Sequence, residues 1–483
     1  MFIKSIKMSF FKGFSSEGNE LSFNLPDGET IGSGLNIFIG ENNTGKSTVF
    51  EAISFLRDEV KDINIIKSKL ADGTQSNDAL VELTFKGNIN TVIENFAPST
   101  KKEALRDSIF NVDELMACRS TENCKELKLW KDGSYQNITG IAAPFKKLFE
   151  NNFIWADTNP SDEASFGAST MCGVLLKEIA AAHTGSEEYQ QFTEQFNIVF
   201  NNPNSELRQE IAEIESKIQT VFTEQFGHAN IKFKFDNLDI SSYFKNIDLI
   251  INDGVETAMS EKGHGMQRAV ALALLQVYAE TIAHSPDQEV LKPFFLFIDE
   301  PEICLHPKGQ KKLLEALLQI SKNKQVFLTT HSPYFLISPH LNNAGLFIFS
   351  NDETDTGKIN KVRNINVDGI FPWSPTWGEI NFKAYNLPTV EFHNELYGFL
   401  QIKSNQSTER QFEQWLVSPP QSLSRSKSWQ RDNGNPAYPV TLQTFIRNHI
   451  HHPENTIMQN QPYTHEELEK SIKEMLEVLS RLP

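Results

Sequence analysis

The chain has 483 residues, of which 39% are hydrophobic and 11% aromatic, which is enough for two or three packed domains. Its 62 acidic and 45 basic residues give a formal net charge of −17, which argues against a uniformly basic nucleic-acid-binding surface but allows a local basic groove. The cysteines show no zinc-type spacing, and reduced thiols are expected at Cys118, Cys124, Cys172 and Cys304. The N-terminus does not read as a signal peptide and the apolar stretches are too short to span a bilayer, so a cytoplasmic protein without membrane contact is predicted.

The first 39 residues alternate polar and apolar side chains and close on LNIFI, which predicts two or three strands. GENNTGKST follows at residues 40–48, and a helical pattern begins directly after it. This is G-x-x-x-x-G-K-S between a strand and a helix, where backbone N–H groups and a helix N-terminus can surround phosphates. The pattern predicts that Lys46 reaches the β- and γ-phosphates and that Ser47 binds Mg²⁺. The other predicted nucleotide contacts are Gly40, Asn42, Asn43, Thr44, Gly45 and Thr48.

Two apolar strands far downstream also end in polar residues. KPFFLFIDEPE, at 292–302, ends in Asp299 and Glu300, and QVFLTTHSP, at 325–333, ends in His331. Because the carboxyl ends of parallel strands meet at one edge of a sheet, these residues are predicted to converge with the phosphate loop on one nucleotide. Asp299 is expected to hold Mg²⁺, Glu300 to polarise the attacking water, and His331 to sense the γ-phosphate.

A second candidate phosphate-binding segment is MSEKGHGMQRAVALALL, at residues 259–275. It places Ser260, Gly263, Gly265 and Gln267 before or at the start of an apolar helix, whose N-terminus can approach phosphate closely. Since one nucleotide already has its own loop, a site shared between two subunits is predicted. The alternative is a glycine-containing loop before a core helix.

Together these motifs resemble the ATP-binding-cassette (ABC) ATPases of the SMC and RecF type, at residues 40–47, 260–268, 299–300 and 331. The resemblance implies an α/β fold with an ABC-ATPase head, in which a mixed sheet, a P-loop and flanking helices bind ATP and Mg²⁺. It also implies a homo-oligomer in which two heads enclose ATP, with Ser260, Gly263 and Gly265 of one head acting on the γ-phosphate held by the other. SEKGHGMQ departs from the compact Ser-Gly-Gly-Gln form, which leaves the role of each glycine open.

The string DEPE…LHP is typical of the overcoming-lysogenization-defect (OLD) nucleases and of other bacterial anti-phage ATPases. Size and layout are similar to the PtuA-type ATPase subunits of the Septu system. The resemblance implies a slowly hydrolysing ATPase that acts as switch and scaffold of an anti-phage complex and controls a separate nuclease subunit, of HNH type if Septu-like. A RecF-like DNA-repair ATPase is an alternative, and contact with nucleic acid stays open.

The predicted domain order starts with the N-terminal half of the head at 1–95 and an insert at 96–250. The C-terminal half of the head follows at 251–366, then a linker rich in proline and glycine at 367–384 and a helical domain at 385–483. In the insert, SELRQEIAEIESKIQTVF predicts either a coiled hairpin arm of about two heptads or a short helical lobe on the head. KDGS predicts a hairpin turn at Asp132 and Gly133. The helical domain lacks the strand pattern of a Toprim nuclease module, which is why a nuclease partner is expected.

The tail segment IRNHIHHPEN, at 446–455, has three open interpretations. Arg447, a polar residue, three positions and His452 resemble the motif of HEPN ribonucleases, which implies metal-independent, ATP-gated cutting of RNA. The histidines could instead cap a helix C-terminus, or His449 and His451 could belong to a metal site.

SLSRSKSWQRDNGNP, at 422–436, reads either as a solvated loop or as a single-strand contact. In the second interpretation Trp429 stacks on a base between Arg425, Lys427 and Arg431.

Overall fold

The structure, a computed structural model, describes residues 1–58, 62–69, 73–75, 77–154, 185–226, 232–233, 249–263, 266–267, 270, 274, 292–303, 305–337, 339–354, 357–365 and 368–482. The chain forms two compact units, one of residues 1–156 and 283–483 and the other of residues 157–282. Within those described ranges, no helix has the length and apolar character needed to cross a membrane.

The strands are β1 (Phe2–Ser9), β2 (Asn19–Ser22), β3 (Leu35–Gly40), β4 (Leu80–Lys86), β5 (Ile109–Phe110), β6 (Glu114–Ser120), β7 (Lys128–Lys131), β8 (Ser134–Asn137), β9 (Glu150–Ile154), β10 (Ile250–Asn252), β11 (Glu256–Ala258), β12 (Phe294–Asp299), β13 (Gln325–Thr330), β14 (Gly345–Thr354), β15 (Gly357–Asn364), β16 (Lys427–Trp429) and β17 (Tyr438–Val440). The α-helices are α1 (Lys46–Asp58), α2 (Ile89–Phe96), α3 (Lys102–Arg106), α4 (Ala142–Lys146), α5 (Glu187–Phe200), α6 (Glu206–Phe226), α7 (Pro307–Ile320), α8 (Trp377–Tyr385), α9 (Val390–Lys403), α10 (Glu409–Val417), α11 (Leu442–His451) and α12 (His465–Ser480).

One sheet of the first unit has six strands in the order β15-β14-β3-β13-β12-β9. All neighbouring pairs except β14–β15 are parallel. Three inner strands read LNIFIG, FFLFID and QVFLTT, and all of their residues are buried. Uninterrupted apolar runs are expected where a parallel sheet is covered on both faces. The carboxyl ends of β3, β13 and β12 therefore lie side by side, as the sequence predicted.

The other sheet has seven strands, in the order β2-β1-β4-β6-β7-β8 with β5 paired to β6. Strand β4 reads LVELTFK and every second side chain is buried, which is the pattern of a strand with one face on the core. Apolar side chains of α1 join those of both sheets in one core. The Phe50 ring of α1 lies 5.8 Å from the Phe38 ring and 5.2 Å from the Phe297 ring, between centroids. The expected α/β head is confirmed.

The head extends further along the chain than the sequence indicated. Strands β5 to β9, within residues 109–154, pair into the two sheets, although this stretch was assigned to the insert. The second compact unit spans residues 157–282, so it is shifted at both ends from the predicted insert. The predicted hairpin is confirmed, because β7 and β8 pair across Asp132 at φ 52° and Gly133 at φ 82°, which suits a two-residue turn with positive φ.

The second unit contains the predicted helical arm as α5 and α6. The heptad-like positions of α6 do not form a buried seam, because Leu207, Ile214 and Ile218 are exposed. A polar contact holds this helix instead: the buried Glu215 carboxylate binds Arg208 at 3.0 Å and accepts the Phe233 N–H at 2.6 Å. The segment is therefore helical, as predicted, and the coiled-arm alternative lacks the buried seam that it requires.

The predicted linker at 367–384 is wrong, because most of α8 lies inside it. The proline-rich residues precede the helix, and Thr376 caps its N-terminus by accepting the Glu379 N–H at 3.2 Å. Helices α9 to α12 follow, and the side chain of a threonine accepts a backbone N–H at the start of each, at Thr389, Thr408, Thr441 and Thr464. They enclose a separate apolar core, which confirms the helical C-terminal domain.

Candidate active site

The P-loop, residues 40–47, connects the end of β3 to the start of α1. Two of its glycines cannot carry a side chain. Gly40 has φ 149°, and a Cβ atom there would lie 2.2 Å from the Phe349 carbonyl oxygen. Gly45 has φ 94°, and a Cβ atom there would lie 2.2 Å from the Asn360 amide nitrogen. The motif's glycines are thus required by its backbone and by the strands that pack on it.

Lys46 lies inside this loop. Its Nζ donates hydrogen bonds to the carbonyl oxygens of Gly40 at 3.1 Å and Glu41 at 2.9 Å. Burial lowers its pKa to about 8, and nearby carboxylates, Glu300 first, act in the opposite direction. The side chain stays mostly protonated at neutral pH, which suits a group that meets a polyphosphate.

The other predicted P-loop contacts differ in their surroundings. Asn42 and Asn43 are exposed, and Asn43 has φ 61°. Thr44 is buried, and its hydroxyl donates to the Glu41 carbonyl at 2.8 Å, so it stabilises the loop from inside. Thr48 is half-buried in the first turn of α1.

The Ser47 hydroxyl and the Asp299 carboxylate meet across the edge of the sheet. The Ser47 Oγ donates to Asp299 Oδ1 at 2.7 Å, although the two residues are 252 positions apart. Thr329, in the neighbouring strand, donates to the same oxygen at 2.6 Å. Hydroxyl and carboxylate oxygens are the hard donors that Mg²⁺ prefers, so the pair fits the metal that a P-loop ATPase requires. Bound there, Mg²⁺ supplies positive charge to the phosphate oxygens.

Glu300 and His331 stand next to this pair. Glu300 has φ 45°, an uncommon conformation for a residue other than glycine and one often kept at functional sites. Its N–H donates to the Thr329 hydroxyl at 3.0 Å. Its Oε1 lies 3.2 Å from His331 Nε2. Burial and the Lys46 charge lower the His331 pKa, while Glu300 acts in the opposite direction, so the imidazole is neutral at pH 7.

The sequence reasoning missed the role of Glu302. Its Oε1 accepts the backbone N–H groups of His331 at 2.5 Å and Ser332 at 3.1 Å, and its Oε2 accepts the Thr330 hydroxyl at 2.9 Å. Burial raises its pKa, and the Glu300 charge acts in the same direction. The second glutamate of DEPE therefore holds the backbone next to His331. The DEPE motif includes Glu302, but only the pairing of β12 with β13 shows that its carboxylate binds the backbone of residues 331 and 332.

The end of the same motif has a structural explanation. His306 precedes α7, and its Nδ1 accepts the Lys308 N–H at 3.3 Å. Pro307 is the first residue of the helix, where a missing N–H is harmless. In this chain LHP is thus a helix start directly after the acidic residues.

The second phosphate-binding candidate lies in the other compact unit. Ser260 is exposed in a short 3₁₀ helix. The buried Gln267 side-chain amide donates to the carbonyls of Met259 at 3.1 Å and Lys262 at 2.9 Å, so it fixes the loop rather than projecting from it. A Cβ atom on Gly263 would meet no heavy atom within 4 Å, while Gly265 lies outside the described residues. Action on a second head remains a prediction.

The tail residues are placed at the end of α11. Arg447 Nη1 donates to Glu409 Oε2 at 2.9 Å and to Asn448 Oδ1 at 3.0 Å, and Asn448 Nδ2 donates to Glu409 Oε1 at 3.1 Å. His452 ends the helix, is half exposed, and its Nδ1 lies 3.3 Å from Glu454 Oε1. Burial, followed by Arg447, lowers the pKa of His451. The arginine is therefore anchored, and His452 is accessible one turn further along.

Trp429 is a core residue, and the partly buried His449 packs against it. The His449 ring nitrogens lie 3.0 Å from the Phe445 carbonyl oxygen and 3.3 Å from that of Met458. Trp429 is 2% exposed and packs edge-on against His449 at 5.0 Å between centroids. Base stacking by Trp429 is therefore wrong. The solvated-loop interpretation holds for most of the segment, because residues 422–426 and 430–436 lie outside strands and are mostly exposed, while only residues 427–429 pair with β17. Among the described residues, no group of three or more His, Cys, Asp or Glu side chains is arranged to hold a metal ion.

The fold and the strand-end residues define the class of protein: a P-loop ATPase. The family described as "AAA ATPase domain" matches residues 1–336, which is most of the chain, and the protein belongs to that family. The predicted ATPase is confirmed at this level. The similarity to the Old nuclease below is compatible with the predicted OLD-like type. The SMC type, the assignment to PtuA-type subunits and the HEPN likeness of the tail remain predictions.

Among curated proteins, the chain is similar to the Old nuclease of Escherichia phage P2, at 27% identity over 327 residues. The match covers 63% of this chain and 54% of that protein, so the chain spans about half the length of its relative. Among solved structures, an SmcHead bound to the C-winged helix domain of ScpA has a TM-score of 0.45 at 15% identity, with 76% of this chain and 99% of that chain covered. The SMC head domain from Thermotoga maritima has a TM-score of 0.36 at 14% identity, with 75% and 99% covered.

Proposed function

We propose that this chain is the ATP-driven switch and scaffold of an anti-phage defence complex, in which it controls a separate nuclease subunit. The observation that carries the proposal is the meeting of Ser47, Asp299, Glu300 and His331 at the edge of one sheet. The similarity to the Old nuclease is compatible with a defence role. The helices within residues 390–480 form a separate core on which we propose that the partner docks.

The chemistry follows from the placement of each group. Glu300 is the general base for the water that attacks the γ-phosphate, and neutral His331 beside it orients that water. Lys46 neutralises charge on the phosphates. Ser47 and Asp299 hold Mg²⁺. Ser260 and Gly263 of a second head complete the site, so that ATP holds two heads together and hydrolysis releases them.

Pairing of heads can be tested with protein that binds ATP but does not hydrolyse it. Glu300→Gln protein at micromolar concentration is expected to sediment as a dimer in Mg-ATP and as a monomer without nucleotide. Lys46→Ala protein is the control and should stay monomeric in both conditions. A Glu300→Gln chain that binds Mg-ATP but remains monomeric would contradict the switch, while leaving the ATPase intact.

A second candidate is an ATP-gated, metal-independent ribonuclease in the tail. The favouring observation is that Glu409 anchors Arg447 and Asn448 while His452 stays accessible at the end of the same helix. Arg447 would stabilise the charged phosphate, and His452 would move the proton of the 2′-hydroxyl.

Total RNA incubated with the protein in excess chelator tests this candidate. Cutting that disappears in both Arg447→Ala and His452→Ala, but persists in the exposed control His465→Ala, would favour it. Intact RNA with wild type in the presence and absence of ATP would favour a docking tail.

A further inference from the structure

Tyr385, the last residue of α8, reaches the nucleotide site from the C-terminal side of the chain. Its hydroxyl donates to the Thr330 carbonyl oxygen at 3.2 Å. Thr330 is the last residue of β13. This hydroxyl therefore contacts the end of the strand directly before His331.

The backbone next to His331 is held on two sides. We call residues 330–332 the switch segment. Glu302 accepts the N–H groups of His331 and Ser332, and Tyr385 donates to the carbonyl of Thr330. The His331 and Tyr385 rings are 6.4 Å apart between centroids. Since Glu302 belongs to the head and Tyr385 to α8, the position of the imidazole depends on both.

Tyr385 is suited to a permanent donor role. Burial raises the pKa of its phenol, and the Glu302 charge acts in the same direction, while the Gly40 backbone acts against them. The hydroxyl keeps its proton at neutral pH, so the hydrogen bond to the switch segment does not depend on the protonation of Tyr385.

Helix α8 is attached to the helical domain by contacts of its own. The Thr376 hydroxyl, at the N-terminus of α8, donates to Glu395 Oε2 of α9 at 2.6 Å. The Phe382 ring packs on the Phe392 ring at 5.2 Å between centroids. A shift of α9 is therefore passed to α8 at both its first and its last turn, and Tyr385 lies in that last turn.

We propose that Tyr385 is a positioning residue through which the helical domain holds His331 in place beside Glu300, so that ATP turnover depends on the docking of α8. The inference rests on the proposed hydrolysis at Glu300. The proposed regulatory contact is the one between Tyr385 and Thr330. The proposed partner nuclease would bind other surfaces of the C-terminal domain.

The first test compares Tyr385→Phe with Tyr397→Phe in the full chain. Tyr385 is partly buried and Tyr397 is buried. The Tyr397 hydroxyl lies 3.2 Å from Thr444 Oγ1 inside the helical core, away from the nucleotide site. Loss of one positioning hydrogen bond is expected to lower the kcat of Tyr385→Phe about fivefold, with the KM for Mg-ATP changed by less than about twofold. Tyr397→Phe should match wild type. Unchanged kcat, or a higher KM alone, would overturn the proposal.

A double-mutant cycle shows whether Tyr385 acts through His331. In a His331→Ala background, Tyr385→Phe should change the residual kcat by less than about 1.5-fold, because the group to be positioned is gone. The same factor in both backgrounds would mean that Tyr385 acts independently of His331, and would overturn the assignment.

Amide hydrogen exchange gives a readout that does not need turnover. The N–H groups of His331 and Ser332 should exchange about fivefold faster in Tyr385→Phe than in wild type and stay unchanged in Tyr397→Phe. Exchange unchanged in both variants overturns the positioning role even if ATP is hydrolysed normally. If the wild-type protein does not hydrolyse ATP, the proposed ATPase switch is contradicted. The exchange rates of residues 331 and 332 then still test whether Tyr385 holds the switch segment.

Discussion

The nucleotide site and the tail motif differ in where their polar residues come from. At the nucleotide site, Ser47 bonds to Asp299 and Glu300 lies 3.2 Å from His331, so segments far apart in sequence meet. At the tail, Arg447 lies in α11 and His452 is the residue directly after that helix. Glu409 of α10 binds Arg447. Four polar side chains from three segments that meet at one sheet edge favour a shared ligand, whereas a local basic pattern is also explained by a helix that ends there.

The largest expected effect concerns Glu300. Glu300→Gln keeps the shape of the side chain but removes the general base, so kcat should fall about 10³-fold with little change in the affinity for Mg-ATP. Phosphate release at saturating ATP measures it, and Glu315→Gln on the exposed face of α7 is the control. A loss of less than about tenfold would remove Glu300 from the chemistry.

The next prediction tests whether Trp429 is a structural residue of the helical domain. Because Trp429 is buried against Phe445 and His449, Trp429→Ala should lower the free energy of unfolding of the helical domain by about 3–5 kcal/mol. Urea unfolding followed by circular dichroism measures this, with the half-exposed Trp373→Ala as a milder comparison. A cost below about 1 kcal/mol would restore Trp429 as a candidate for contact with a ligand.

A third prediction concerns His393, a buried histidine that stays neutral. His393, in α9, is buried, its Nε2 lies 2.9 Å from Ser471 Oγ, and burial lowers its pKa to about 3 from an ordinary 6.5. Since the unfolded chain takes up this proton first, stability is complete above pH 6.5 and falls as the pH is lowered toward 3. Between pH 6.5 and pH 5 the loss should be about 2 kcal/mol.

His393→Gln should remove this contribution, so the difference in unfolding free energy between the two chains should shrink by that amount at pH 5. An equal pH dependence in both chains would show that His393 is protonated or hydrated in the folded state.

The smallest expected effect concerns the hydrogen bond from Thr329 to Asp299. Thr329→Val removes the hydroxyl that donates to Asp299 Oδ1 and accepts the Glu300 N–H. Loss of the bond to Asp299 should cost about 1 kcal/mol and raise the Mg²⁺ concentration for half-maximal turnover about fivefold, and loss of the bond to Glu300 should also lower kcat. Thr330→Val, whose hydroxyl contacts Glu302 instead, should leave the Mg²⁺ requirement unchanged. Equal shifts in both variants would mean that Thr329 does not act through the metal site.

Periodicity and motif spacing predicted the strand ends well, because buried parallel strands are uninterrupted apolar runs and their polar ends must meet at one edge. The same reasoning failed where tertiary packing decides. Proline and glycine before Trp377 suggested a linker, yet they precede a capped helix, and the contact of Tyr385 with Thr330 cannot be read from residues 55 positions apart. The stacking alternative for Trp429 rests on its basic neighbours in the sequence, whereas the core that covers its side chain is formed by residues far along the chain.

The central claim is that the strand-end site binds ATP and that Glu300 performs its hydrolysis. Equilibrium dialysis of Glu300→Gln protein with labelled Mg-ATP tests it most directly, followed by chromatography of the bound nucleotide. One uncleaved ATP per chain, with none bound to Lys46→Ala, is the predicted result. No bound nucleotide, or nucleotide recovered as ADP, would contradict the account.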